Sequence, residues 1–501
     1  MERCIREDTG RVRTRGRRML GHTSPSGSAN IVSRDVSITQ WLLPAAALTL
    51  MAKQLFGTDG IRGLPGEYPL DDATLDRVGF ALGTYLRRHG HGGPDTPRVL
   101  IGRDTRESGP QITARIARGL MASGVEAVSA GVVTTPGVAW LVNREGFAAG
   151  VVISASHNPY HDNGVKLISA TGMKFPDAVE AEIESLILSP PASTVSAKPV
   201  RFEDNEKIDD DYLQGLRETL IPGAKLAGMK IVMDCANGAS SNLAPRLFRS
   251  LGAEVIALSH TPDGKNINAG CGSLHPENML KAVVESGAAL GVAFDGDADR
   301  ALFASGSGRM VDGDGVLLVI GRYLKSIKKL KGNVIVGTTM ANLGLERALD
   351  KSEIEFIRTA VGDRYVLEEM QSIGANLGGE QSGHILLLDD ATTGDGMLTA
   401  IKMASITALS GPLDSLVADL KIFPQKIVNV KVKSKPPLES LPVVASKLAE
   451  AEKTLGNSGR VVLRYSGTEP LARVMVEAEH DADVRLWTDT LANALRESIG
   501  A

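Results

Sequence analysis

Gly150–Pro159 reads GVVISASHNP: a small and β-branched run, GVVI, that breaks into a loop holding two serines, a histidine and Asn-Pro. A short apolar run bounded by turn-forming residues is the pattern of a buried strand. In α/β sheets, ligands lie beyond the carboxyl ends of such strands. The same alternation continues outward, with Arg98–Ile101 (RVLI) reading as a strand and Gly109–Ser123 as a helix. A polar interruption, Ser189–Asp210, is followed by a strand at Met229–Met233, a helix at Ser240–Leu251 and a strand at Glu254–Leu258. A third round has a strand at Ala301–Phe303, a helix near Val316–Leu324 and a strand at Asn333–Val336. Strands alternating with amphipathic helices build α/β layers. After Pro424 the order becomes strand, helix, strands, helix, ending in Asp481–Ile499. The sequence therefore predicts three α/β domains, at 51–205, 206–304 and 305–425, and a smaller α+β domain at 426–501.

Composition narrows the function. Of 501 residues, 43% are hydrophobic and 23% charged, a globular balance. Aromatics at 4% argue against a stacking platform for single-stranded nucleic acid. Cys4, Cys235 and Cys271 fit neither a disulfide framework nor a zinc knuckle, which makes a reducing, cytoplasmic setting the default. Residues 1–50 carry a net +4 and the rest a net −8, and an acidic body opposes nonspecific nucleic-acid binding. Val36–Ala52 is interrupted by Pro44 and is too short for a membrane span, so no membrane partner is expected. The Arg-rich and Ser/Gly-rich segment 1–50 reads as a disordered extension or as a translation start placed too early. Its basic stretch lies too far upstream of the apolar run for a secretory signal.

Four loops carry chemistry. In SASHNP, Ser156 is a weak nucleophile that needs a base, cation or metal beside it; a polar turn capped by serine explains the string better when it is taken in isolation. In DGDADR (Asp295–Arg300), three carboxylates in five positions repel one another, and a hard cation is the natural reason for the crowding. Oxygen ligands without His or Cys favour magnesium over zinc. In GGEQSGH (Gly378–His384), Glu380 and Ser382 would point the same way on an extended backbone and suit the hydroxyls of a sugar; an exposed turn is the alternative. In RYSGTEP (Arg464–Pro470), with Arg473 beyond it, arginines, hydroxyls and amides supply the grip for a phosphate dianion; a hairpin turn with arginines at the strand ends is the alternative.

Taken in order, FGTDGIRG, SASHNP, DGDADR, GEQSGH and RYSGTEP resemble the alpha-D-phosphohexomutase superfamily from about Lys53 to the C-terminus. The resemblance implies three related α/β domains with mixed sheets and a fourth domain around a central cleft. Gln381 and VGDRYV at Val361–Val366 resemble most the bacterial branch that interconverts glucosamine 6-phosphate and glucosamine 1-phosphate. The branch acting on mannose and glucose phosphates is the nearest competitor. By motif, the resemblance implies that Ser156 is a phosphoserine completing a magnesium site with Asp295, Asp297 and Asp299, one ion per subunit. It implies that Gly362, Asp363, Glu380, Ser382 and His384 contact the sugar, and that Arg464, Ser466, Gly467, Thr468 and Arg473 hold the nonreacting phosphate. A phosphoserine near −2 beside three aspartates demands nearby cations; Arg62, Lys166 and Arg300 are the candidates, and Lys166 or His157 could move the hydroxyl proton. Two other classes compete: a haloacid-dehalogenase-type phosphatase with Asp295 as nucleophile, and a nonenzymatic sugar-phosphate sensor. Ala298 stands where the family commonly has Gly. The sequence leaves the oligomeric state open, a homodimer included.

Overall fold

The computed structural model describes residues 54–57, 59–91, 96–189, 204–205, 208–466 and 470–501. The expectation for segment 1–50 lies outside the described residues.

The first sheet holds β1 (Ile61–Gly63), β2 (Arg98–Arg103), β3 (Glu126–Val132), β4 (Ala149–Ile153) and β5 (Asn163–Ser169), in the order β1-β5-β4-β2-β3. β2 runs parallel to β3 and β4, whereas β5 is antiparallel to β4. The second sheet repeats this plan with β6 (Lys230–Asp234), β7 (Glu254–Leu258), β8 (Leu290–Phe294), β9 (Ala301–Ser305) and β10 (Met310–Val311), in the order β10-β9-β8-β6-β7. The third, β12-β11-β13-β14, repeats it again with β11 (Val334–Thr338), β12 (Glu355–Thr359), β13 (Leu377–Gly379) and β14 (Ile385–Leu387). The predicted strand at Asn333 begins one residue later, because Asn333 has φ 51° at the end of a 3-10 turn. In each sheet the last parallel strand turns back through one antiparallel hairpin, β4–β5, β8–β9 or β13–β14. Those three equivalent hairpins carry SASHNP, DGDADR and EQSGH.

Local chemistry sets the helix starts. Thr134, Asp312, Asn342 and Asp395 each accept a backbone N–H of the helix they open, as N-caps do. One apolar core runs from Val138 and Phe147 of the first body through Leu243 and Phe294 to Leu317 and Met397 of the third. The fourth body, an antiparallel sheet β15-β17-β16 (Gln425–Lys431, Leu471–Ala478, Gly459–Tyr465) with two helices, has its own core of Val430, Val474, Trp487 and Leu491. A buried carboxylate joins it to the third: Glu477 accepts from Leu343 N at 2.9 Å and Arg460 Nε at 2.6 Å, while Arg460 donates to the Thr339 and Ala341 carbonyls. Among the described residues, no helix is long and apolar enough to cross a membrane.

Candidate active site

The β4–β5 loop presents Ser156 at φ 51° and 1% exposure. Its Oγ donates to Asp295 Oδ2 at 2.7 Å and lies 3.3 Å from His157 Nδ1. Ser154 steadies the turn by accepting from Ser156 N and donating to Asp104 Oδ2.

Asp295, Asp297 and Asp299 offer carboxylate oxygens that all lie within 4.8 Å of one another, and all three residues are buried. Burial, then repulsion from Asp299 and Asp297, pushes the Asp295 carboxyl well above its usual range. Burial works against Asp299 too, but His384, Lys166 and Arg300 hold it below that range. Asp297 Oδ1 and Asp299 Oδ1 are buried with no hydrogen-bond partner. Buried, crowded and partly unsatisfied oxygens fit a hard divalent cation, and this cluster, with Ser156 Oγ beside it, could hold one. Ala298 sits mid-loop at φ 56°, the left-handed region that glycine enters without strain.

Cations surround the cluster. Lys166 Nζ is 3.0 Å from Asp297, 3.0 Å from Asp59 and 4.0 Å from Asp299. Burial disfavours its charge, yet these carboxylates raise its pKa well above the usual lysine value, which argues against Lys166 as a proton acceptor. Burial and then Arg300 and Arg62 lower His157, so its ring is neutral near pH 7. Arg300 Nη1 lies 3.3 Å from His157 Nδ1, and Arg62 pairs with Asp59 at 2.7 Å.

A cleft of about 520 Å³ opens beside this cluster, lined on one wall by Asp59, Arg62 and Lys174 and on the other by Gly362, Asp363, Glu380 and His384. Lys174 bridges the walls, 2.8 Å from both Asp59 and Asp363. Burial opposes the charge of His384, but Asp299 and Asp363 raise its pKa above the usual value. Ser382 is exposed and does not line the cleft. The chain turns at Glu380, where Gly383 N bonds the Glu380 carbonyl and Gly383 takes φ 92°. The extended backbone expected to align Glu380 with Ser382 is therefore replaced by a turn that buries His384.

Arg464 and Arg473 face each other across β16 and β17. Like charges in such a pair repel; burial and Arg473 lower the Arg464 pKa, and an anion there would relieve both. Arg464, Ser466 and Arg473 are not among the lining of the cleft. Gly467 and Thr468 lie outside the described residues.

Sequence reasoning missed Lys174, Thr135, Arg106 and Asn268. Thr135 donates to Asp297 Oδ2 at 2.6 Å. Arg106 and Asn268 hold the Ser156 loop from below. Arg106 follows an apolar strand in GRDTRESG, the signal that marked DGDADR.

Four segments match the phosphoglucomutase/phosphomannomutase family in order: alpha/beta/alpha domain I over 53–192, domain II over 210–308, domain III over 312–423 and the C-terminal domain over 427–494. The chain belongs to this family of phosphohexomutases, isomerases by class. Among similar proteins, the phosphoglucosamine mutase of Solibacter usitatus is 50% identical over 451 residues, covering 90% of this chain and 100% of the relative. That of Koribacter versatilis is 50% identical over 457 residues, 89% and 98% of the two chains. The crystal structure of a phosphoglucomutase/phosphomannomutase family protein from Burkholderia thailandensis superimposes with a TM-score of 0.73 at 25% identity, covering 89% of this chain and 98% of the other. Aspergillus fumigatus N-acetylphosphoglucosamine mutase, in complex with GlcNAc-6P and magnesium, shares the fold at 18% identity and TM-score 0.63, covering 89% and 96%.

Proposed function

We propose that the chain interconverts glucosamine 6-phosphate and glucosamine 1-phosphate through a phosphorylated Ser156, supplying the sugar phosphate for UDP-N-acetylglucosamine. The observation that carries this reading is the 2.7 Å contact between Ser156 Oγ and Asp295 inside a three-aspartate cage, beside the cleft that holds Asp363, Glu380 and His384. Relatives at 50% identity named phosphoglucosamine mutase support the amino sugar over glucose or mannose. The family placement displaces the phosphatase and sensor readings.

Ser156 donates a phosphoryl group to a sugar hydroxyl: the Oγ–P bond breaks, a sugar O–P bond forms, and the hydroxyl proton leaves. The bisphosphorylated sugar then returns its other phosphoryl group to Ser156 Oγ: that sugar O–P bond breaks, the Oγ–P bond re-forms, and the freed sugar oxygen takes the proton back. His157, 3.3 Å from Oγ and with its pKa lowered by burial, Arg300 and Arg62, is the acceptor for that proton. Asp295, Asp297 and Asp299 would hold a magnesium ion, which would supply charge stabilisation to the phosphoryl group when bound. Lys166, Arg62 and Arg300 add fixed positive charge, which is most of what phosphoryl transfer asks of a protein. Glu380 and Asp363 orient the sugar, and Arg464 with Arg473 grips its nonreacting phosphate. The four working bodies follow the sheets: the strand expected to open a third round at Ala301 instead pairs with β8, and β10 pairs with β9, so the second body runs on to Val311, the third spans 312–424 and the fourth begins at Gln425. Two buried free cysteines, Cys235 and Cys271, suit a reducing cytoplasm.

A coupled assay comparing glucosamine 6-phosphate with glucose and mannose phosphates tests the assignment. Greater kcat/KM on glucose or mannose phosphate would overturn it.

A further inference from the structure

One serine serves both positions of the sugar, so the serine must stay fixed while the bisphosphate turns over. Ser156 sits at φ 51°, a conformation that surrounding contacts have to impose. Two side chains from different bodies impose it by reaching the same two carbonyl oxygens. Arg106, 1% exposed and paired with Asp104 at 2.8 Å, donates to Ser156 O at 3.0 Å and Asn158 O at 2.9 Å, and also to the Pro159 and Asp162 carbonyls. Asn268 comes from the second body, after β7, and its Nδ2 donates to Ser156 O at 2.9 Å and Asn158 O at 3.0 Å.

The metal loop closes on the same point. A Cβ on Gly296 would stand 2.5 Å from Ser156 O and 2.9 Å from Asn268 Nδ2. No side chain fits there, so the backbone of DGDADR rests directly on the clamped carbonyl. Asn268 N in turn donates to Ala236 O at 2.9 Å, tying its backbone to the loop after β6. Asn268 takes φ 57°, a conformation asparagine tolerates better than most residues.

We propose that Asn268 is a positioning residue: through the Ser156 and Asn158 carbonyls it registers the aspartate-bearing second body on the nucleophile loop, with Arg106 as the fixed half of the clamp. Its benefit to turnover rests on the reading of Ser156 as the phosphoryl carrier, whereas its effect on the cation site does not. Asn268→Asp keeps shape and tolerance of the left-handed backbone but turns a carboxylate oxygen toward two carbonyl oxygens. Asn268→Gly keeps the backbone at ease and simply deletes the amide, so it serves if the aspartate variant misfolds.

The test is Mn2+ binding followed by electron paramagnetic resonance on unphosphorylated full chain, beside steady-state kinetics with glucosamine 6-phosphate. Removing a group that orients a ligand typically costs about 10- to 100-fold in metal affinity, and a loss in that range is expected from both variants. With it should come a lower kcat in both reaction directions at unchanged KM. A folded variant that binds Mn2+ as wild type does overturns the proposal, and so does a raised KM at unchanged kcat, which would place Asn268 against the sugar. Intact-mass analysis of wild type separates the two readings: absence of phosphate from Ser156 defeats the phosphoserine and leaves the Mn2+ comparison to decide the clamp.

Discussion

Replacing Lys166 by methionine keeps the length and apolar stem of the side chain and deletes one positive charge from the centre of the site. In the wild type that charge is 3% exposed and shared by Asp59, Asp297 and Asp299 at 3.0, 3.0 and 4.0 Å. Removing one partner of a buried pair costs about 3 to 5 kcal/mol, because the partners stay buried without compensation. Asp59 keeps Lys174 and Arg62, which favours the lower half of that range. At roughly 2 to 4 °C per kcal/mol, the first melting transition in chelator should fall by roughly 6 to 16 °C. A divalent cation can take over the lost role: at 100 times its dissociation constant it returns about 2.7 kcal/mol to the folded state. Magnesium should therefore restore about half or more of the loss, and the variant, with one cation fewer in the cage, should bind it more tightly than wild type. Turnover should stay low, since a fixed charge beside the transferring group has gone. Thermal melting at stepped magnesium concentrations checks both points. Equal melting points in chelator, or equal protection by magnesium, would refute the view of Lys166 as the cage's standing counter-charge.

Four further outcomes are expected. Ser156→Ala should abolish turnover, with intact mass showing one phosphate on wild type and none on the variant; full activity with phosphate retained elsewhere would sink the nucleophile assignment. Burial pushes the Asp395 carboxyl up to about 6, against an unfolded value near 3.9, so its contribution is fully present below about pH 4 and lost as pH rises through 6, for a total of about 3 kcal/mol. Asp395→Asn should then gain that much stability relative to wild type between about pH 4 and pH 7.5, as read by urea titration, and a pH-independent difference would rule this out. Glu184 accepts from the N–H groups of Gln54, Leu55 and Phe56; Glu184→Gln should cost about 1.5 to 3 kcal/mol through lost charge-assisted bonds, a loss that an unaltered urea midpoint would contradict. Arg464→Ala should weaken sugar-phosphate binding by about 1.5 to 3 kcal/mol, seen as a raised KM, and an unchanged KM would count against a phosphate grip.

Two of the three strand-to-loop transitions were readable because each couples an apolar run to residues that folding alone would not place there. GVVI ending in Ser156 and the run ending in Asp295 announce themselves in this way. Residues whose partners are backbone atoms were hidden: Asn268 and Glu184 work on carbonyls or amides, and main-chain groups leave no pattern in a sequence. The turn at Glu380 was missed for a related reason. Alternation suggested a shared face for Glu380 and Ser382, but Gly383 permits a φ of 92°, and the reversal it allows turns His384 inward instead. Lys174 escaped notice because its partners, Asp59 and Asp363, lie in two different bodies.

The same hairpin recurs in three sheets, and on the proposed mechanism each copy carries a different part of one reaction: the nucleophile in β4–β5, the carboxylate cage in β8–β9, the sugar loop in β13–β14. Such a plan fits tandem duplication followed by division of labour, and it removes all redundancy. No copy can stand in for another, because SASHNP, DGDADR and EQSGH present different side chains. On that mechanism, damage to any one of the three would stop the whole cycle, and new substrate preference would be open chiefly to the third hairpin, which would meet the sugar without carrying the bond-making chemistry.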